Sequence, residues 1–279
     1  MDRITDSKLI LFALNEAEDV GWRTIARLVA SVDRVTDIPQ MSVDDVMRFG
    51  ITARRAEAIV RLLKPEALEA RLRVYERAGI RWITVWDDVY PELLRHTAEP
   101  PWVLYAIGDI ALLNRHCLAI VGTRTPTAYG RKVAENLAAA LVRAGFCIVS
   151  GMARGIDSAA HWGALRGGGD TIAVLAGGVE QVYPPENRPL YRELADRGLI
   201  VSESPLGTPM HPGLFPVRNR IIAGLSLGTI VVEAADRSGS LITADLALDA
   251  SRDVFAVPGP ITSPKSRGTL KLIKQGAKI

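Results

Sequence analysis

Short, continuous apolar runs recur along most of this chain, separated by stretches of helical periodicity. They lie at 82–86, 102–106, 118–121, 146–149, 171–175, 199–202, 229–232 and 254–257, each bounded by turn-forming residues. Runs this short and this uniformly apolar read as strands buried on both faces. Between many of them the apolar residues are spaced as on one side of a helix, most clearly Val133, Leu137, Leu141 and Ala144. A sheet covered by helices on both sides is mostly parallel, so the pattern predicts an α/β, doubly wound architecture. In that layout ligands meet the carboxyl ends of the strands, and the loops that follow each strand are where chemistry is expected.

The N-terminal part follows a different rule. Residues 1–65 carry helical spacing only, with a turn signal at Val20-Gly21-Trp22 before a helical stretch at 24–29 and a similar one at Phe49-Gly50-Ile51-Thr52 before 56–60. This weak internal repeat fits a helix-hairpin-helix or SAM-like module, in which glycine allows a tight turn between short helices, and it fits a plain small helical bundle equally well. Pro65 marks the expected boundary, with a helix over 68–78 opening the larger part, so the expected domains are 1–65 and 66–279. A chain of 279 residues suits about two domains.

Charge and cysteine usage narrow the function classes. Lys and Arg total 34 against 31 Asp and Glu, a net charge of +3, so no bulk positive field announces a nucleic-acid binder and any such site must be local. The apolar run 9–14 is too short to span a membrane and is followed by Glu16, Glu18 and Asp19, which gives the reading of a soluble, cytoplasmic protein. Cys117 and Cys147 lie in strand-like runs without a second cysteine or histidine at ligand spacing, so neither a disulfide nor a metal site is expected.

Four strand-end loops combine glycine, hydroxyl and arginine residues at helix starts. Gly122-Thr123-Arg124-Thr125-Pro126-Thr127 precedes a helix opening near Tyr129. Its backbone N–H groups suit a phosphate that Arg124 could grip bidentately, although a simple capping loop would use the same residues. Ser150-Gly151-Met152-Ala153-Arg154-Gly155-Ile156-Asp157 leads into the next helix, with Asp157 placed to be its N-cap. His161, one turn further on, has no partner at ligand spacing and reads as a packed helix residue. After 171–175, Gly177-Gly178 permits close backbone approach, and Tyr183 either offers a stacking face or packs on its own prolines.

In Phe215-Pro216-Val217-Arg218-Asn219-Arg220, Pro216 fits a first helical position, placing both arginines in an opening turn where the helix dipole opposes them. A bound polyanion would offset that penalty, and so would pairing with Glu203 or Glu233. Ser238-Gly239-Ser240 then precedes a helix over about 241–250. Together the loops describe an extended phosphate-binding surface, for one nucleotide or for a strand of them.

The ordered motifs of residues 100–279 resemble the DprA (Smf) family, DNA-processing protein A. They are Pro-Pro-x-Val-Leu-Tyr at 100–105, Ile-Val-Gly-Thr-Arg at 120–124, Ser-Gly-x-Ala-x-Gly-Ile-Asp at 150–157, Gly-x-x-x-x-Tyr-Pro at 178–184, and Glu-x-Pro at 203–205. Phe-Pro-x-Arg-Asn-Arg-Ile-Ile-Ala-Gly-Leu-Ser at 215–226 is the longest, followed by Val-Val-Glu-Ala at 231–234, Ser-Gly-Ser-Leu-Ile-Thr-Ala at 238–244 and Val-Phe-Ala-Val-Pro-Gly at 254–259. The resemblance implies an extended Rossmann-like domain that dimerises, binds single-stranded DNA without strong sequence preference, protects incoming DNA and helps load the RecA recombinase.

No catalysis and no cofactor are implied. The DNA-contacting residues it implies are Gly122, Arg124, Ser150, Gly151, Arg218, Asn219, Arg220, Ser238, Gly239 and Ser240, to which the loop reading adds Thr123 and Arg154. Thr123 stands where the family usually has serine. Family members often carry an N-terminal SAM-like domain, and some a C-terminal winged-helix-like one. Here the chain stops at 275–279, in what reads as a strand, so the latter is expected to be absent.

A rival reading is a Rossmann-like nucleoside-monophosphate hydrolase of the lysine-decarboxylase-like type. Gly228-Thr229-Ile230-Val231-Val232-Glu233 echoes its Gly-Gly-x-Gly-Thr-x-x-Glu motif, but the glutamate is one residue late, which on a strand turns it to the other face. A dinucleotide-dependent oxidoreductase would need a GxGxxG fingerprint that the chain lacks.

Overall fold

A computed structural model describes residues 4–279. The chain divides into two compact units, Met1–Asp88 with Pro101–Tyr105, and Val89–Pro100 with Ala106–Ile279.

The first unit is built from helices α1 (Ser7–Glu16), α2 (Trp22–Ala30), α3 (Val43–Met47), α4 (Ala53–Leu62) and α5 (Pro65–Arg77), followed by strand β1 (Arg81–Thr84). Gly21 caps α2 and Thr52 caps α4, at the two turn signals of the repeat. Pro65 is the first residue of α5, a position where its missing N–H would have had no helical partner, so the helix starts three residues earlier than its periodicity indicated. Helix α1 buries Ile10, Leu11, Phe12, Ala13 and Leu14. At its end the fully buried Glu16 carboxylate accepts hydrogen bonds from Arg71, from the Tyr75 hydroxyl at 2.6 Å and from the Tyr105 hydroxyl, which satisfies a charge that burial alone would make very costly.

Next along the chain come α6 (Glu92–Arg95) and β2 (Val103–Gly108). The Rossmann-like part follows as β3 (Cys117–Gly122), α7 (Ala128–Arg143), β4 (Cys147–Ser150), α8 (Ile156–Arg166), β5 (Thr171–Val174), α9 (Arg188–Arg197) and β6 (Leu199–Ser202). It closes with α10 (Leu214–Leu225), β7 (Gly228–Val232), α11 (Gly239–Asp249), β8 (Asp253–Ala256) and α12 (Arg267–Lys274). Each of the apolar runs picked out by sequence overlaps one strand. Six strands of the second unit lie in the order β6-β5-β4-β3-β7-β8, and every neighbouring pair is parallel. Strands β4 to β7 are buried along their whole length, as a sheet covered on both faces requires.

Side-chain alternation along β3 assigns the layers. Ile120 joins Ala134, Ala138, Ile156 and Ala160 in a core formed with α7 and α8. Its neighbour Val121 points to the opposite face, toward α10 and α11. The strand order reverses at β3: the chain first builds outward through β4, β5 and β6, then crosses back to lay β7 against β3. The carboxyl ends of β3 and β7 flank that switch point, where open α/β sheets hold their ligands.

Several local expectations are met and two are corrected. Cys117 and Cys147 are buried, unpaired and directly opposite each other on β3 and β4. His161 is fully buried, its Nδ1 2.7 Å from the Thr171 hydroxyl, and burial depresses its pKa to about 3, as suits a neutral packed imidazole. The end of the chain is not a strand: α12 occupies 267–274, and only Lys278 makes an isolated parallel bridge, to Phe255. Asp157 is not an N-cap, because Gly155 holds that position with φ +82° and Asp157 already lies inside α8.

Candidate functional site

A cavity of about 490 Å³ opens at the switch point, bounded by the end of β3, by the loop after β4 and the start of α8, by α10, and by the start of α11. Of the residues picked out by sequence, Gly122, Arg124, Arg218, Asn219, Ser238, Gly239 and Ser240 line it. A second cavity of about 270 Å³ adjoins it, reached by Gly151 and Arg154 and sharing the walls Arg124, Ala153, Tyr183, Phe215 and Arg218. Thr123, Ser150 and Arg220 line neither of these two. Ser150 is fully buried and donates to Ile120 O at 2.6 Å, so its hydroxyl ties β4 to β3. Thr123 is a backbone link, its N–H donating to Glu233 O at 2.8 Å and its carbonyl accepting from Ile156 N at 3.2 Å.

The helix that carries Arg218 begins at Leu214, which places Pro216 third rather than first. Arg218 to Arg220 therefore sit in the second turn, beyond the reach of the dipole penalty inferred from the sequence. Two residues along a helix turn the side chain by about 200°, so Arg218 and Arg220 face different ways. Arg220 pairs with Glu203 at 2.5 Å, the pair retaining 15% and 23% side-chain exposure. Burial raises the Glu203 carboxyl above its ordinary pKa even with Arg220 beside it. Arg218 is buried in the cavity floor, where its Nη1 donates to Gly151 O at 2.7 Å and to Val174 O. Burial depresses its pKa to about 10 against the opposing pull of Asp157, so it keeps its charge at neutral pH.

Two of the strand-end loops are filled from within. In the loop after β4, the buried Asp157 carboxylate accepts from Gly151 N at 3.1 Å and from Ala153 N at 3.4 Å, occupying the N–H groups that the sequence offered to a phosphate. Burial raises the Asp157 pKa, moderated first by the Arg218 charge. In the loop after β3, the Glu233 carboxylate accepts from Thr127 N at 2.8 Å and from the Thr127 hydroxyl at 2.5 Å, sitting at the start of α7. Glu233 is itself buried, and its carboxylate is committed to that helix start.

What remains open is the start of α11 and one arginine. Ser238 caps α11 through its side chain, accepting from Ser240 N at 3.4 Å, and Gly239 is exposed. Arg124 is exposed and, among the described residues, enters no ion pair. Its guanidinium lies 5.1 Å from the centre of the Phe215 ring. Arg154, by contrast, is engaged by Glu186. Asn219 bridges the walls, accepting from Arg218 Nε at 3.3 Å and reaching Gly239 O at 3.5 Å.

Apolar faces complete the cavities: Phe215 and Tyr183 with ring centres 5.7 Å apart, Pro212, Pro216, Ile222 and Ile242. Tyr183 is exposed and lines both cavities, so it offers a stacking face. Phe215, Ile242 and Asp157 were not among the candidate contacts. All three lie inside motifs the sequence had flagged, Ile242 within 238–244, but nothing in those motifs marks them as cavity walls. A cationic group beside two aromatic faces and a helix N-terminus suits a ligand that alternates phosphates with flat rings.

Comparison with known proteins gives the family. The family model described as DNA recombination-mediator protein A matches residues 81–279. The DNA processing protein DprA of Bacillus subtilis is 46% identical over 208 residues, covering 74% of this chain and 70% of that protein. The X-ray structure of DNA processing protein A from Streptococcus pneumoniae superposes with a TM-score of 0.84 at 32% identity, covering 99% of this chain and 95% of that one. The structure of DNA processing protein A from Helicobacter pylori, reported for its single-stranded DNA binding mode, gives a TM-score of 0.65 at 33% identity, covering 71% and 90% respectively.

Proposed function

Because the chain belongs to the DNA recombination-mediator protein A family, the DprA/Smf proteins, we propose that it binds single-stranded DNA in the cavity at the switch point. In this reading it protects incoming DNA and helps load the RecA recombinase in transformation or recombination, acting in the cytoplasm as a homodimer, without catalysis and without a cofactor. The observation that carries the binding reading is Arg124: an exposed cation, held over an aromatic ring rather than a carboxylate, at the mouth of a cavity that ends on the N-terminus of α11. The Helicobacter pylori relative, named for its single-stranded DNA binding, supports the same ligand.

With Asp157 and Glu233 filling two loops, the phosphates gripped in the cavity are few. Single-stranded binding loses about 0.7 in log K per log salt for each phosphate neutralised, so a contact number of about two gives a shallow slope near −1.4. Much of the affinity then comes from bases against Tyr183, Phe215 and Ile242. Gly122, Gly151, Ser238, Gly239, Ser240 and Asn219 shape the cavity, whereas Arg218, Arg220, Ser150 and Thr123 hold it together.

The test is fluorescence anisotropy of labelled oligo-dT against a duplex of equal length across a salt titration. Preference for the single strand with a shallow slope supports the reading. Equal affinity for duplex, or no binding at low salt, overturns it. Release of ribose 5-phosphate from a nucleoside monophosphate would favour the hydrolase reading instead, although Glu233 is already committed to Thr127.

A further inference from the structure

The Gly122–Thr127 segment carries Arg124 at its middle, and one residue holds it at both ends. At the near end, Thr123 N donates to the Glu233 carbonyl at 2.8 Å. At the far end, the Glu233 carboxylate accepts from both the Thr127 backbone N–H and the Thr127 hydroxyl. Thr127 in turn accepts from Gly130 N at 3.1 Å, completing the first turn of α7. Gly130 is what lets the carboxylate in, since a Cβ there would lie 2.3 Å from Glu233 Oε2.

Two further features mark Glu233 as built for this contact. Its φ of +51° is a backbone conformation that residues with a Cβ rarely adopt, and it occurs at the residue directly after β7. Its carboxylate lies 106 residues away in sequence from the threonine it holds, so no local motif of the loop supplies the same contact.

We propose that Glu233 is the positioning residue for the loop that carries Arg124, fixing Arg124 at the cavity mouth by clasping Thr123 and Thr127. Glu233 itself touches no DNA. It acts by removing the freedom of the loop, so that Arg124 meets a phosphate without first being ordered. The inference rests on the reading of the cavity as a single-stranded DNA site.

The experiment measures labelled oligo-dT binding to the full chain over a salt titration, in a cycle of Arg124→Ala, Glu233→Ala and the double variant. Arg124→Ala tests the underlying reading alone: if it binds as tightly as wild type, the cavity is not the DNA site. Given a loss there, Glu233→Ala is expected to weaken binding about tenfold and to flatten the salt slope by about 0.7, the share of one phosphate contact. The double variant should then be no weaker than Arg124→Ala, because the two residues act through one contact.

Glu233→Gln keeps a hydrogen-bonding partner for Thr127 and is expected to restore affinity to within about twofold, which general loosening of the fold would not predict. Wild-type affinity in Glu233→Ala, losses that multiply in the double variant, or no rescue by Gln would each overturn the proposal. If Glu233→Ala does not fold, Thr127→Val takes its place. A loss of about threefold that vanishes in the Arg124→Ala background supports the clasp, and an unchanged affinity overturns it.

Discussion

The loops after β3 and β4 and the loop after β7 are written in the same residue types, yet they have opposite fates. The first two are closed: Glu233 and Asp157 reach into them and take up their N–H groups. The third is open, its N-cap supplied by its own Ser238, with Gly239 exposed at the cavity. The glycines record the same contrast. A Cβ on Gly151 would lie 2.4 Å from the Arg218 guanidinium, whereas one on Gly239 would meet nothing within 4 Å. Glycine, serine and a helix start thus describe a possible anion site. Whether a carboxylate of the chain, local like Asp157 or distant like Glu233, already fills it decides if it is one.

Substitutions on the two sides should separate cleanly. The largest effect is expected from Arg218→Met on the closed side. It leaves the Gly151 and Val174 carbonyls without their donor and the buried Asp157 without its strongest compensating charge, a loss of about 3 kcal/mol or more. For a unit of this size that lowers the thermal midpoint by about 10 °C. A midpoint unchanged by calorimetry would show that the floor of the cavity is not braced as described.

Next comes Arg124→Glu at the cavity mouth, which reverses the one cation that the closed loop after β3 leaves exposed and without an ion pair among the described residues. Oligo-dT affinity by anisotropy should fall about a hundredfold, equivalent to about 2.7 kcal/mol, while the thermal midpoint stays put because an exposed side chain is lost. A large drop in the midpoint would instead assign Arg124 to the scaffold. The smallest effect belongs to the double substitution Arg220→Gln with Glu203→Gln, which removes a pair facing away from the cavity. DNA affinity within twofold of wild type is the expected outcome, and a tenfold loss would place Arg220 back among the contacts.

Much of the fold could be read in advance because a parallel sheet buried on both faces leaves uniform apolar runs, and strands such as 199–202 coincide with theirs. The loops were legible too, since strand ends are easily located once the strands are. What each side chain faces was not. Arg218, Asn219 and Arg220 looked like one basic patch, but helical rotation splits them among floor, wall and a pair with Glu203.

Asp157 read as a cap because an acidic residue near a helix start ordinarily is one. Its carboxylate instead turns back to accept from Gly151 N and Ala153 N, with the left-handed Met152 between them. Glu233 and Thr127 meet across 106 residues, and nothing in either neighbourhood signals the other. Ile242 joins the cavity only because α11 packs beside α10.

The Arg124 guanidinium resting on the Phe215 ring has a thermodynamic consequence. A long arginine side chain usually gives up substantial rotamer entropy when it is immobilised by a ligand. Contact with a neutral aromatic face restrains it beforehand while leaving its charge uncancelled. A carboxylate in the ring's place would give similar order but would have to be displaced by each arriving phosphate. In the proposed reading, the ring holds the cation already aimed, so association needs neither a search by the side chain nor the rupture of an ion pair.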